Sequence, residues 1–84
     1  MYPKPGPPVP FIPKLNIYPN PSEDGVLNLN AVYDRVDVMD ITGKVLFTTY
    51  TTQRIELKDQ KPGIYFVTAY YQTKRQVARF IYQP

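Results

Sequence analysis

The sequence predicts an all-β domain, a two-sheet sandwich of seven short strands behind a proline-rich lead. Apolar residues alternate with period 2 in successive runs, and turn chemistry recurs roughly every 8 to 12 residues. No stretch carries the 3.6-residue period of a helix. Val, Ile, Thr, Tyr and Phe fill the runs, the residues that a pleated, half-buried surface prefers. A half-closed barrel is the other way to close the same strands.

The lead comes first. Six of the ten prolines fall within residues 1–13 (MYPKPGPPVPFIP). Proline fixes φ and turns its predecessor away from the α region, so this stretch reads as an extended, polyproline-like linker. Pro5 and Pro8 also form a PxxP pattern, which leaves open a docking role for an aromatic groove. Residues 14–84 are then the folding unit, about 70 residues long, a size at which a single core is modest.

Within that unit the expected strands are 14–18, 25–31, 34–40, 44–50, 53–58, 63–71 and 74–82. Leu15 with Ile17, Leu27 with Leu29, Val36 with Val38, Val45 with Phe47 and Ile55 with Leu57 mark the alternating pairs. Asp24-Gly25 reads as a reversal. Asp40-Ile41-Thr42-Gly43-Lys44 reads as a tight three-residue hairpin, with Gly43 in the left-handed region. Lys61-Pro62-Gly63 has the residues of a type II turn, because Pro62 presets φ and Gly63 supplies φ > 0. Residues 63–71 are apolar on both faces, Tyr65, Val67, Ala69 and Tyr71 on one and Ile64, Phe66 and Tyr70 on the other. A central strand or a face that meets a partner accounts for this equally. In the last strand Ala78, Phe80 and Tyr82 are assigned to the core, and Arg75, Val77, Arg79 and Ile81 to the other face.

Composition narrows the function. The chain has no His and no Cys. Zinc, copper and haem sites therefore lose their usual ligands, and Ser–His and Cys–His nucleophilic catalysis is excluded. No cofactor is expected. Ser22, the single serine, lies in an Asn-Pro-Ser-Glu-Asp-Gly turn with no base nearby, so the chain is read as non-enzymatic. The formal net charge of +3 comes without a like-charge run longer than two, which argues against a nucleic-acid arm or a polybasic membrane anchor. No apolar stretch is long enough to span a membrane as a helix. Asp34, Asp37 and Asp40 recur every three residues, but a strand alternates with period 2, so they read as solvated carboxylates. The eight tyrosines are spread along the chain rather than grouped as a stacking platform.

Leu15-Asn16-Ile17-Tyr18-Pro19-Asn20-Pro21 resembles the opening of the type A C-terminal sorting domains of the type IX secretion system of Bacteroidota. Val36-Asp37-Val38-Met39-Asp40-Ile41-Thr42-Gly43-Lys44-Val45 is similar to that family's apolar-flanked hairpin. Lys61-Pro62-Gly63-Ile64-Tyr65-Phe66-Val67 resembles its turn-strand, and a basic-apolar strand, here Lys74 to Tyr82, closes both. The blocks stand in the family's order over about residues 14–83. One departure is the ending Tyr82-Gln83-Pro84, where members commonly finish on a lysine-containing strand.

The resemblance implies an immunoglobulin-like, seven-stranded antiparallel β-sandwich at the C-terminus of an exported cargo. It implies recognition in the periplasm by a secretion-system receptor or shuttle, passage through the outer membrane, and removal by a sortase-like surface protease in or before residues 1–14. The whole sequence then reads as a piece of a longer exported chain. Candidate recognition residues are Pro62, Gly63, Tyr65, Lys74, Arg75 and Arg79. Motif and turn residues are Tyr18, Pro19, Asn20, Pro21, Gly43 and Lys44. Each has a plain structural reading beside the functional one: turn residues for Gly43, Pro62 and Gly63, a corner for Tyr18 to Pro21, core for Tyr65, and a solvated or edge-protecting face for the cations. A different class remains as the alternative, an accessory sandwich that binds glycan or another protein. Unpaired sheet edges also allow a homodimer through edge strands.

Overall fold

In the computed structural model, residues 14–84 are described. The linker expected over residues 1–13 lies outside the described residues. Five strands form among the described residues: β1 (Ile17–Tyr18), β2 (Val26–Met39), β3 (Val45–Glu56), β4 (Gly63–Tyr71) and β5 (Lys74–Tyr82). All pair antiparallel in one sheet of order β1-β2-β4-β5, with β3 on the other edge of β2. β1 and β4 share one edge of β2 at different heights. Asn28 and its neighbours meet β1, and Arg35 to Met39 meet β4.

The seven expected runs therefore lie on five strands. Runs 25–31 and 34–40 are one strand, β2, and runs 44–50 and 53–58 are one strand, β3. The junctions, Ala31-Val32 and Thr51-Thr52, carry no Gly, Pro or Asn to stop a strand, and Val and Thr favour β structure. The ladder bends there instead of ending. Between the Asn28–Arg54 and Tyr33–Thr52 pairs, β2 uses residues 29–32 where β3 uses only residue 53. Thr51 adopts φ 48°, a left-handed conformation rare for a β-branched residue. Such bulges bend a strand and increase its twist.

The bend curls the sheet around one core. Leu27, Leu29 and Tyr33 point inward on odd positions, then Val36 and Val38 on even ones. This phase change across the bend hides the continuity of β2 from a period-2 reading. Ile17, Ile55 and Leu57 join these from β1 and the β3 side; Tyr65, Val67, Ala69 and Phe80 come from β4 and β5. Phe80 is fully buried and stacks on Tyr65, with ring centroids 5.6 Å apart. Each such large side chain contributes about 1.5–3 kcal/mol on burial.

A corner built from the first family-like block closes the curl. The Tyr18-Pro19 and Asn20-Pro21 peptide bonds are both cis. Beyond them Ser22 is fully buried, and its backbone N–H donates to the Ile81 carbonyl (2.8 Å) while its carbonyl accepts from Gln83 N–H (2.8 Å). Its hydroxyl donates to the Val26 carbonyl (2.9 Å) and accepts from Gly25 N–H (3.1 Å). Gly25 has φ 78°, and a Cβ there would sit 3.2 Å from the Leu57 carbonyl oxygen, so the reversal requires glycine.

Candidate functional site

Antiparallel pairing brings the end of β2 and the starts of β3 and β4 together with the end of β5. Met39 pairs with Val45 and Phe66, and Gly63 pairs with Tyr82. Residues 40–44, 61–64, 19–22 and 82–84 thus gather at one end of the sheet. The N-terminal approach lies at the other end, where Leu15 N–H donates to Gln76 Oε1 (2.7 Å).

The 40–44 turn forms as the sequence predicts. Gly43 adopts φ 88°, its N–H donates to the Asp40 carbonyl (3.0 Å), and Asp40 N–H donates to the Lys44 carbonyl (3.0 Å). Asp40 Oδ1 organises the loop by accepting from Thr42 N–H (2.9 Å), the Thr42 hydroxyl (2.5 Å) and Lys44 N–H (3.1 Å). The Thr42 hydroxyl first, then the backbone donors and the Lys44 charge, hold the Asp40 carboxyl below its ordinary range, against a smaller opposing effect of desolvation. Lys44 itself is exposed.

The second turn differs from expectation. Gly63 has positive φ, but at 153° it departs from the roughly +80° of a type II turn. It is already the first residue of β4, paired with Tyr82, so the chain bends at Pro62 and enters the ladder directly. The two turns enclose an open groove of about 410 Å³ lined by Asp40, Ile41, Pro62, Gly63, Ile64 and Tyr65. Ile41 is 68% exposed at its rim, an unusual place for so large an apolar side chain. Tyr65 lies beneath this groove rather than on the surface. It is buried, and its hydroxyl donates to the Lys61 carbonyl, which ties the Pro62 bend to the core.

The corner residues line the neighbouring surface. Pro19 and Pro21 border a concavity with Glu23 and Asp24. Asn20 locks the corner to β5, its Oδ1 accepting from Ile81 N–H (2.9 Å) and its Nδ2 donating to the Arg79 carbonyl (3.2 Å). Tyr18 is exposed on β1.

The candidate cations do not form one cluster. Arg79 pairs with Phe66 toward the motif-bearing end, whereas Arg75 and Lys74 pair with Tyr70 and Tyr71 at the far end of the hairpin. Arg75, Val77, Arg79 and Ile81 nonetheless share the outer face of β5, opposite Tyr70, Thr68, Phe66 and Ile64 of β4. Val77 is 61% exposed in the middle of that face. Residues 63–82 contain Lys74, Arg75 and Arg79 and no carboxylate, while acidic and basic residues balance over the rest of the chain. The formal net charge of +3 therefore sits on this hairpin.

Sequence reasoning misplaced one carboxylate and overlooked one hydroxyl. Asp37 is not solvated. It is buried on the outer face of β2, accepting from Arg35 Nε (3.0 Å), Arg35 Nη2 (3.1 Å) and the Thr48 hydroxyl (2.7 Å). The hydrogen bond that Arg35 donates to Asp37 keeps its guanidinium charged above its ordinary range, and Arg35 lies 5.1 Å over the Tyr70 ring. The cross-strand positions Thr48 and Thr68 that cover Asp37 follow only from register, which no single run reveals. Ser22 had a visible signal, since serine ahead of Asp-Gly suits a side-chain-bonded turn.

The strands and turns are those of a small all-β domain. More particularly, the chain belongs to the family of secretion system C-terminal sorting domains, whose family model matches residues 16–83. It is a sorting signal of the type IX secretion system, a role that disfavours the accessory glycan-binding alternative. Members are generally non-catalytic, are recognised by the secretion machinery, and mark a cargo for export across the outer membrane. No curated protein matches the chain.

Proposed function

We propose that this domain is a removable address tag, read at its motif-bearing end and along the outer face of β4 and β5. A receptor or shuttle binds it in the periplasm, and cargo and tag cross the outer membrane together. A sortase-like protease then cuts in or before residues 1–14. In this reading the bends in β2 and β3 divide each into two sandwich strands, which restores the seven strands of an immunoglobulin-like fold.

One observation carries the reading. Two family-like blocks far apart in sequence meet at one groove at the end of the sheet remote from Leu15, and the first block borders a second concavity. Pro62 and Gly63 shape that groove, Gly43 and Lys44 belong to the turn across it, and Pro19 and Pro21 border the second concavity, where Asn20 ties the corner to β5. Arg75 and Arg79, with Lys74 at the hairpin tip, supply charge, and Phe66 and Val77 supply apolar contact area. Tyr65 serves by holding the bend from below. The arrangement suits a tag, because one end presents the contact surface while the other faces the cargo.

The test fuses residues 14–84, preceded by residues 1–13, to a periplasmic reporter in a bacterium that has the secretion system. The reporter is expected at the cell surface or in the medium, with the domain removed. Retention of a folded fusion in the periplasm overturns the proposal. Export with the domain still attached overturns the cleavage step alone. The exposed pair Arg75→Glu and Arg79→Glu is expected to cut export severely at unchanged melting temperature.

A further inference from the structure

The outer face of the sheet carries a row that no single strand discloses. Tyr50 of β3 pairs with Arg35 of β2, Arg35 pairs on its other side with Tyr70 of β4, and Tyr70 pairs with Arg75 of β5. Directly opposed residues share a face, so the four stand side by side across four strands, tyrosine alternating with arginine. Tyr50 is 68% exposed at the β3 end. Tyrosine and arginine are two of the residue types that carry most of the energy in protein interfaces.

Arg35 is held rather than loose. Its Nε and Nη2 donate to the two oxygens of Asp37 (3.0 and 3.1 Å), and its guanidinium lies over the Tyr70 ring. Asp37 is fixed in turn by the Thr48 hydroxyl and is only 4% exposed, so its charge is spent on Arg35. Among the described residues this side-on pair leaves the Nη1 edge of the guanidinium unengaged, and about half of the Arg35 side chain is exposed. A guanidinium fixed in this way has little rotamer freedom left to lose on binding.

The rest of the face has the same sign. The next outward-facing rows place Val77 beside Thr68 and Arg79 beside Phe66. Arg75, Val77 and Arg79 are exposed, and among the described residues no ion pair involves either arginine. Over residues 35–39, 45–50, 63–71 and 74–82 the one carboxylate is Asp37, against Arg35, Lys74, Arg75 and Arg79. With Asp37 buried, the charge exposed on these strands is wholly positive and surrounds an apolar centre.

We propose that this face docks an acidic patch of a partner protein, with Arg35 and Arg75 pairing carboxylates on either side of Tyr70. The proposal rests on the reading of the outer face of β4 and β5 as a contact surface, and extends that surface across β2 to Tyr50. Charge complementarity selects the occupant. Two strand spacings separate Arg35 from Arg75, about 10 Å at the backbone, a span that one protein surface covers. An oriented guanidinium pairs a carboxylate through two parallel N–H groups, which lysine cannot do. A layer of mobile anionic lipid headgroups answers to the number of cations instead, lysine and arginine alike.

The test titrates the full chain with a capped octa-glutamate peptide and follows the backbone amide shifts. Shifts are expected at Tyr50, Arg35, Tyr70 and Arg75, with a dissociation constant on the order of 0.1–1 mM. Arg35→Lys keeps the charge and loses the fork, and should weaken binding about fivefold. The exposed variants Arg75→Gln and Tyr50→Ser should each weaken it at least about threefold at an unchanged melting temperature, which keeps the test sound if Arg35→Lys does not fold. Lys58→Gln removes a cation outside these rows and should leave affinity unchanged. Weakening by Lys58→Gln equal to that by Arg75→Gln assigns binding to net charge and overturns the proposal. So does capture of the chain by phosphatidylglycerol vesicles without binding of octa-glutamate, which makes the occupant a lipid surface. If octa-glutamate is ignored while Arg75→Glu with Arg79→Glu still blocks export, the contact face stands and only its acidic partner falls.

Discussion

The two long hairpins of the sheet are built from similar residues and solve different problems. β4 and β5 pair from Gly63–Tyr82 to Tyr71–Lys74 without a slip, around a two-residue loop at Gln72 and Thr73. β2 and β3 slip twice, once across residues 29–32 and again beside Met39. The regular hairpin keeps one face in the core and turns the other outward along its whole length. The irregular hairpin gives up ladder pairs at its bend so that both of its ends reach the same core. A chain of this size without disulfides must wrap something around its apolar centre, and here the bent pair does so while the regular pair carries the cations.

That contrast explains what the sequence disclosed. The bounds of β4 and β5 match the expected runs 63–71 and 74–82, because an unbroken register keeps period 2 intact. Phe80 and Val77 fall on the faces that alternation assigned them. In β2 the phase changes between Tyr33 and Val36, so one strand reads as two. Thr51 is no turn residue by composition, yet it takes a left-handed φ of 48° beside the bend in the ladder. The site was half legible: its turn residues announced themselves, but the groove they enclose depends on the Gly63–Tyr82 and Met39–Phe66 pairings. Tyr65 looked suited to contact by residue type and motif, yet parity alone puts it beside Val67 and Ala69 in the core.

The largest effect is expected from Phe80→Ala, which tests whether the two hairpins share one core. Truncating a fully buried phenylalanine costs about 3–5 kcal/mol, and each kcal/mol lowers the melting temperature by roughly 4–8 °C in a domain this small. Amide-exchange protection in β2 and β3 should fall together with that in β4 and β5, since the core is a single cluster. Protection lost from β4 and β5 alone would break the picture of one wrapped core.

A smaller change of opposite sign sharpens the role of the bend. Thr51→Gly relieves a left-handed β-branched residue while adding chain entropy to the unfolded state, a net gain of about 0.5–1 kcal/mol. Thr49→Gly, in the regular stretch opposite Val36, should instead lose about 1 kcal/mol. Thermal melts of the pair measure both. Equal losses at the two sites would mean that the bend stores no backbone strain and is held by other contacts.

The smallest effect lies in the turn that joins the irregular hairpin at the motif-bearing end. Asp40 binds Thr42 and Lys44 as a carboxylate and is held below its ordinary range chiefly by the Thr42 hydroxyl. A group whose folded value is depressed contributes stability that is fully present above its unfolded value, about 3.9 for aspartate. That contribution is lost as pH falls through the depressed folded value. Acid should therefore loosen residues 40–44 as pH falls through that depressed value, seen as reduced amide protection at Thr42 and Lys44 while the β4–β5 ladder stays protected. Asp40→Asn should remove this pH dependence, because the amide does not ionise and still presents an oxygen to both backbone donors. A turn that loosens in acid equally in that variant would assign the effect to some other carboxylate and leave the groove's near wall independent of Asp40.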